Sequence, residues 1–166
     1  MTREVALSLG ANLGAAHNTV REAIAAIAAD PRLLTPRVSS LYRTSPVGGV
    51  EQADFINAVV VADTTLEPHE LIALARRLEE QHGRTREVRW GPRTLDVDIL
   101  ALGSVVSHDP EIVLPHPRAH ERAFVLVPWA EISADAVIVG HGTVAECLRS
   151  MAADDLAGVR LIEEWE

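Results

Sequence analysis

The spacing of hydrophobic residues along the chain changes several times, and each spacing predicts a different kind of secondary structure. Short apolar runs rich in β-branched residues predict strands. These runs cover residues 5–9, 38–43, 55–62, 94–102 and a final stretch near 159–162. Apolar residues three and four positions apart predict helices. Such spacing occurs around 20–27, from Pro68 to the residue before Gly83, over 121–132 and near 144–151.

Two glycine-containing segments predict turns beside the strands. The run Gly-Ala-Asn-Leu-Gly at 10–14 predicts a tight turn from the first strand into the first helix. Gly103 and Ser104, followed by a second β-like run, predict a hairpin with the strand 94–102. The element order is then β-α-β-β-α-β with extra pieces at the end. This order is typical of an α+β sandwich of the ferredoxin-like, split βαβ type with a mainly antiparallel sheet.

Length and composition narrow the class of protein. A chain of 166 residues is about the size of one domain, so residues 1–166 are expected to form a single domain. The longest uninterrupted apolar stretches, 23–29 and 123–130, are far shorter than the roughly 18–20 residues of a membrane span. The N-terminal residues lack the apolar region of a signal peptide, and the single cysteine excludes an internal disulfide. We therefore expect a cytoplasmic protein without a membrane partner. We also expect a monomer, a prediction that does not follow from the composition.

The distribution of charge points to a local anion site. The net charge is −9, which argues against a nucleic-acid partner, and all fifteen basic residues are arginine. Six of these arginines lie between positions 76 and 93, and the later ones fall in a predicted loop. Without lysine, a bound phosphate would be held by guanidinium groups, backbone amides or a metal ion. The basic loop therefore predicts a polyanion site on an acidic protein.

Two aspartates on the strand 94–102 indicate a metal site. Asp96 and Asp98 alternate with apolar neighbours, so both carboxylates project from one strand face, about 7 Å apart along the chain. One or two carboxylates, completed by water and substrate phosphates, are typical ligands of Mg²⁺. The alternative interpretation is an exposed strand face with two solvated acids. The arginine loop just before the strand favours the interpretation as a metal and phosphate site.

Three other side-chain groups have open interpretations. His116 and His120 are four residues apart, but without an obvious third ligand a zinc site is disfavoured, and His116 fits a hydrogen-bond donor to phosphate better. Phe55 and Asn57 share one strand face, which suits a stacked heterocycle with an amide at its edge. Phe124 is either an opposite aromatic plate or an ordinary core residue.

Several motifs together resemble one enzyme family. They are Leu-Ser-Leu-Gly-Ala-Asn-Leu-Gly at 7–14, Ser-Ser-Leu-Tyr-Arg-Thr at 39–44, Asp-Phe-Ile-Asn-Ala at 54–58, Arg-Trp-Gly-Pro-Arg-Thr-Leu-Asp-Val-Asp at 89–98, Leu-Pro-His-Pro-Arg at 114–118 and Glu-Arg-Ala-Phe-Val-Leu at 121–126. The chain resembles the 6-hydroxymethyl-7,8-dihydropterin pyrophosphokinases of folate biosynthesis over nearly its whole length. The resemblance implies a ferredoxin-like fold and transfer of a diphosphoryl group from ATP to the pterin's hydroxymethyl oxygen, with release of AMP.

The resemblance also assigns site residues. It places two Mg²⁺ ions on Asp96 and Asp98, and it assigns catalytic positions to these two and to Arg84 and Arg93. The expected ATP contacts are Glu79, Arg84, Arg86, Trp90, Arg93, Ile99, His116 and Arg122. The expected pterin contacts are Thr44, Val47, Phe55, Asn57 and Phe124, with the pterin ring between the two phenylalanines.

A second hypothesis comes from a different class of protein. Ferredoxin-like folds host many functions, so a non-catalytic module that binds a nucleotide or a protein is compatible with the same element order. In that case the acidic pair would serve Ca²⁺ binding or solubility. The two hypotheses differ in whether ATP is converted to AMP when the reduced pterin is present.

Overall fold

A mainly antiparallel sheet organises the computed structural model, which describes residues 1–12, 15–45, 54–82 and 95–162. The strands are β1 (Arg3–Ala11), β2 (Leu33–Val38), β3 (Tyr42–Thr44), β4 (Phe55–Thr64), β5 (Asp96–Leu102), β6 (Ser107–Asp109), β7 (Ile112–Leu114), β8 (Val137–Ile138), β9 (Gly142–Thr143) and β10 (Val159–Leu161). The helices are α1 (Ala16–Ala29), α2 (Pro68–His82), α3 (Ala123–Ser133), α4 (Val144–Arg149) and α5 (Ala153–Ala157), with a 3-10 turn at Ala119–Glu121. No helix in these ranges is long and apolar enough to cross a membrane.

Within the described residues the main sheet contains six strands, in the order β10-β3-β4-β1-β5, with β2 also paired to β4. Every strand pair in it is antiparallel. The predicted α+β class and mainly antiparallel sheet are therefore confirmed. Helix α1 connects β1 to β2, and helix α2 connects β4 to β5. Strands β4 and β5 pair with opposite edges of β1.

The sheet separates two hydrophobic cores. One face packs Leu7, Val60 and Ile99 with the buried residues of α1 and α2. The other face packs Val61 and Leu100 with buried residues of α3 and α4. Because successive strand residues project to opposite faces, each strand contributes alternate residues to the two cores. The position of a residue along its strand therefore determines which of the two faces its side chain projects from.

The prediction of one continuous strand over residues 38–43 is wrong. The structure has two strands there, because β2 ends at Val38 and β3 begins at Tyr42. From Val38 to Tyr42 the chain advances four positions, while the partner strand advances three, between Val60 and Asn57. The segment between β2 and β3 therefore has one residue more than the facing part of β4. Such an extra residue interrupts the hydrogen-bond ladder in the way that a β-bulge does. At the interruption the Ser39 N–H donates to the Val59 carbonyl at 2.9 Å, and the Ser39 hydroxyl oxygen accepts from the Val59 N–H at 2.9 Å.

The predicted hairpin after Gly103 has a different partner from the expected one. The chain turns at Gly103, where φ is +52°, but strand β6 pairs with β7 in a separate two-stranded sheet and not with β5. The helix predicted over 121–132 begins and ends close to α3, and the predicted final strand is β10. The small elements β8, β9 and α5 have too few residues to produce a recognisable hydrophobic period.

A capping box starts helix α4, and it supports a prediction about stability. The Thr143 hydroxyl oxygen accepts from the Glu146 N–H at 3.1 Å, and the Thr143 N–H donates to the Glu146 carboxylate at 3.1 Å. Removing such a cap costs about 1 kcal/mol, so T143A should lower the free energy of unfolding by about that amount, measured in urea. T143S keeps the hydroxyl group and should unfold like the wild type. Equal losses in both variants would contradict the role of the cap.

Candidate active site

Strand register places one row of polar side chains across the sheet. Asp96 on β5 lies opposite Gly10 on β1, Gly10 lies opposite Asn57 on β4, and Asn57 lies opposite Tyr42 on β3. Directly opposite residues in antiparallel strands project from the same face of the sheet. This row therefore belongs to the face that is covered by α3.

The neighbouring rows add the second aspartate and two more of the predicted pterin contacts. Asp98 lies opposite Ser8, and Thr44 lies opposite Phe55. Asp96 and Asp98 are both half-buried, whereas Val97 between them packs into the opposite core. The predicted common face of the two carboxylates is confirmed. The shared face of Phe55 and Asn57 follows from the same alternation along β4.

Gly10 leaves room for the Asn57 side chain. Asn57 is 6% exposed, and its side-chain amide nitrogen donates to the Thr44 hydroxyl oxygen. A Cβ atom at Gly10 would lie 3.0 Å from the Asn57 Oδ1 atom. Gly10 belongs to strand β1 and not to the turn that the 10–14 run predicts. The glycine is thus used for a close approach of a side chain, a role that the sequence pattern did not indicate.

Glu79 braces the strand that carries the two aspartates. Glu79 is 9% exposed, and its carboxylate accepts a hydrogen bond from the Val97 N–H at 3.2 Å. The donor lies between Asp96 and Asp98, so helix α2 fixes the backbone from which both carboxylates project. The ATP contact expected for Glu79 stays a prediction. The structure shows a different contact for Glu79, the hydrogen bond to the backbone of β5.

His116 is held as a neutral hydrogen-bond donor. Its backbone N–H donates to the Leu100 carbonyl at 2.8 Å, and its Nδ1 atom accepts from the Arg118 N–H at 3.2 Å. Burial lowers the pKa of His116, the charge of Asp98 acts in the opposite direction, and the charges of Arg122 and Arg118 lower it further. With Nδ1 occupied as an acceptor, the neutral ring carries its proton on Nε2. This atom can donate to a phosphate oxygen.

Arg122 connects the anionic and aromatic parts of the site. It precedes the first turn of α3, and its Cζ atom lies 5.6 Å from the centroid of the Phe124 ring. A guanidinium at this distance from an aromatic ring makes a favourable cation–π contact. Phe124 is half-buried at the start of α3 and packs beside the core on that face.

His120 contacts a second histidine, His141, rather than His116. Its ring stacks on the ring of His141, with centroids 3.6 Å apart and an interplanar angle of 6°. Across residues 1–12, 15–45, 54–82 and 95–162, no group of three or more His, Cys, Asp or Glu side chains could hold a metal ion. The disfavoured zinc interpretation gains no support from the described residues.

One expected site residue is buried in the core, and five others lie outside the described residues. The side chain of Ile99 is 5% exposed and lies in the core beneath α1 and α2, so any contact between Ile99 and a nucleotide would have to use its backbone. The other five lie outside the described residues: Val47, Arg84, Arg86, Trp90 and Arg93.

Comparison with known proteins identifies relatives of this chain. The family model described as 7,8-dihydro-6-hydroxymethylpterin-pyrophosphokinase matches residues 6–134. A 2-amino-4-hydroxy-6-hydroxymethyldihydropteridine pyrophosphokinase of Bacillus subtilis is 44% identical over 126 residues, which cover 76% of this chain and 75% of the relative. The protein of the same name from Methylorubrum extorquens is 43% identical over 163 residues, which cover 98% of this chain and all of the relative.

A solved structure shares the fold. The HPPK-DHPS triple mutant of Plasmodium falciparum, crystallised with SDX-DHP, superposes with a TM-score of 0.69 at 15% sequence identity. The match covers 90% of this chain and 44% of that longer chain. At this identity the likeness concerns the fold alone.

Proposed function

This chain belongs to the 7,8-dihydro-6-hydroxymethylpterin-pyrophosphokinase family, and from this premise we propose that it transfers diphosphate from ATP to the hydroxymethyl group of 6-hydroxymethyl-7,8-dihydropterin. The hydroxymethyl oxygen attacks the β-phosphorus and loses its proton, the bond from this phosphorus to the oxygen it shares with the α-phosphate breaks, and AMP leaves. The product is the diphosphate ester that folate biosynthesis requires. The observation that supports this best is the row from Asp96 through Asn57 on one face of the sheet.

Asp96 and Asp98 suit magnesium as the metal. Both offer hard carboxylate oxygens from one face of the strand. Mg²⁺ is commonly held in this way, with water and substrate phosphates completing its coordination. Two Mg²⁺ ions are proposed here, and when bound they would neutralise charge on the triphosphate.

The remaining residues position ATP. His116 donates from Nε2 to a phosphate oxygen, and Arg122 provides positive charge beside it. Phosphoryl transfer passes through a loose transition state, so alignment and charge stabilisation dominate and no strong general base is required. Arg84, Arg86, Trp90 and Arg93 are proposed as further ATP contacts on the basis of the family motif.

The pterin pocket is proposed at the other end of the same row, around Asn57 and on the same face of the sheet as Asp96. Asn57 presents its Oδ1 atom while Thr44 holds its amide nitrogen, so the amide has a fixed orientation toward the heterocycle. Phe55 and Phe124 are proposed to stack on the two faces of the pterin ring, with Val47 in contact with it. Such an arrangement would align the hydroxymethyl group with the β-phosphorus.

We propose a ferredoxin-like fold and a monomeric assembly. The strand order β3-β4-β1-β5, with α1 and α2 on one face, supports the ferredoxin-like description. Residues 1–166 are proposed to form one pyrophosphokinase domain that acts as a cytoplasmic monomer without a nucleic-acid or membrane partner.

One experiment separates the possible activities. The protein is mixed with ATP, Mg²⁺ and 6-hydroxymethyl-7,8-dihydropterin, and the products are followed by phosphorus NMR. AMP and a new diphosphate ester are expected. Formation of ADP would indicate an ordinary kinase, and unchanged ATP would favour the non-catalytic binding module. Omission of the pterin is the control, since it should leave ATP intact.

A further inference from the structure

The Glu131 carboxylate binds the segment that leads into strand β3. Both of its oxygens accept from the Ser40 N–H at 3.0 Å, and one accepts from the Ser40 hydroxyl at 2.9 Å. The other oxygen also accepts from the Tyr42 hydroxyl. Three donors on one short segment therefore converge on a single side chain of helix α3.

This contact joins the two elements that would enclose the pterin. Strand β3 has only three residues, and it presents Thr44 two positions after Tyr42, on the same face. Helix α3 carries Phe124 seven residues before Glu131, which is about two helical turns and returns to the same side of the helix. Glu131 thus connects the strand of Thr44 to the helix of Phe124.

Strand β3 is short, and its ladders to the two neighbouring strands cover the same three residues. The strand follows the interruption at Ser39, and its registers with β4 on one side and β10 on the other both extend only from Tyr42 to Thr44. A strand of three residues has few ladder hydrogen bonds, so a charged acceptor that holds its first residue has a large influence on its position. Tyr42 is buried, and its hydroxyl group has Glu131 as its acceptor.

The Tyr42 hydroxyl remains a donor throughout the neutral range. Burial raises the pKa of Tyr42, and the hydrogen bond to Glu131 with its negative charge raises it further. A protonated phenol opposite a carboxylate makes a short, charge-assisted hydrogen bond. The hydrogen bond from Tyr42 to Glu131 therefore keeps its donor proton at neutral pH.

We propose that Glu131 is a positioning residue for the pterin substrate, because it sets the position of the Thr44 strand relative to Phe124. The inference rests on the proposed function. Glu131 touches neither ATP nor the reacting atoms in this account. Its loss should affect the pterin and leave ATP binding nearly unchanged.

A second anchor of α3 provides a matched control. Glu4 on β1 accepts from the Arg37 guanidinium and, at 3.2 Å, from the Ser133 hydroxyl. Arg37 also donates to the Ile132 carbonyl at 3.0 Å. This anchor holds the same end of α3, but it does so near the start of β1, far along the strand from Gly10 and Asn57.

The test compares E131Q, Y42F and E4Q in steady-state assays of AMP formation, together with thermal unfolding. E131Q keeps the size of the side chain but has one acceptor fewer and brings an NH₂ group toward the donors. It should raise KM for the pterin about tenfold while KM for ATP changes less than about twofold. Y42F should show a smaller increase in the same direction, since the Ser40 contacts remain. E4Q should lower Tm without moving either KM.

Three results would overturn the proposal. They are an unchanged pterin KM in E131Q, an equal rise in both KM values, and a pterin KM in E4Q that rises as much as in E131Q. The wild type serves as the reference for the proposed function itself. If the wild type forms no AMP, the proposed function fails; if it does and E131Q matches it, only this inference fails.

Discussion

Replacing Asp96 or Asp98 with alanine is expected to lower kcat/KM for AMP formation by about a thousandfold, or about 4 kcal/mol of transition-state stabilisation. Both carboxylates project from the same face of β5, and each is half-buried beside the core. Without one of them a divalent cation would lose a charged ligand at the place where the triphosphate is proposed to bind. Activity should be measured over a range of Mg²⁺ concentrations, and the remaining activity should require more Mg²⁺ than the wild type does.

The control for this loss is another acidic residue on the same face of the sheet. Asp63 is half-buried near the end of β4, where it lies opposite Glu4. It follows Asn57 by six residues along the strand, so both side chains project from the same face. D63A removes an equivalent carboxylate far from the proposed site and should leave kcat/KM within about twofold. The assignment of the metal ligands would be contradicted if D63A and D98A had equal effects, or if D96A and D98A kept wild-type turnover.

The common face of Asp96 and Asp98 could be predicted because it depends only on alternation along one strand. The α1 and α2 helices could be predicted for a similar reason, since their hydrophobic period extends over several turns. These features are local, and a single segment contains all the information that they need.

The roles of Gly10, Glu79 and Glu131 could not be predicted in this way. Each depends on a partner that is distant in the sequence: Asn57, Val97 and the Ser40–Tyr42 segment, respectively. Such contacts are set by strand register and by the packing of a helix on the sheet, which hydrophobic spacing does not encode. The break between β2 and β3 has the same origin, because it reflects a mismatch with the partner strand β4.

Introducing a methyl group at Gly10 is expected to impair use of the pterin through its effect on Asn57. The new Cβ would lie 3.0 Å from Asn57 Oδ1, closer than nearly all such contacts. The amide cannot easily retreat, because Thr44 accepts its N–H and the side chain is buried. G10A should therefore lower kcat/KM for the pterin by about tenfold, and N57A by about a hundredfold, as expected when a buried polar contact to substrate is lost.

A double-mutant cycle tests whether the two effects have one cause. In the N57A background no amide oxygen faces the new methyl group, so G10A should then cost less than about twofold, which corresponds to a coupling of about 1 kcal/mol. KM for ATP serves as the internal control, since Gly10 and Asn57 are proposed to act on the pterin. Additive losses in the cycle would mean that the methyl group disturbs strand β1 generally. In that case Gly10 would serve the pairing of β1 with β4 and β5, and the close approach to Asn57 would have no part in pterin recognition.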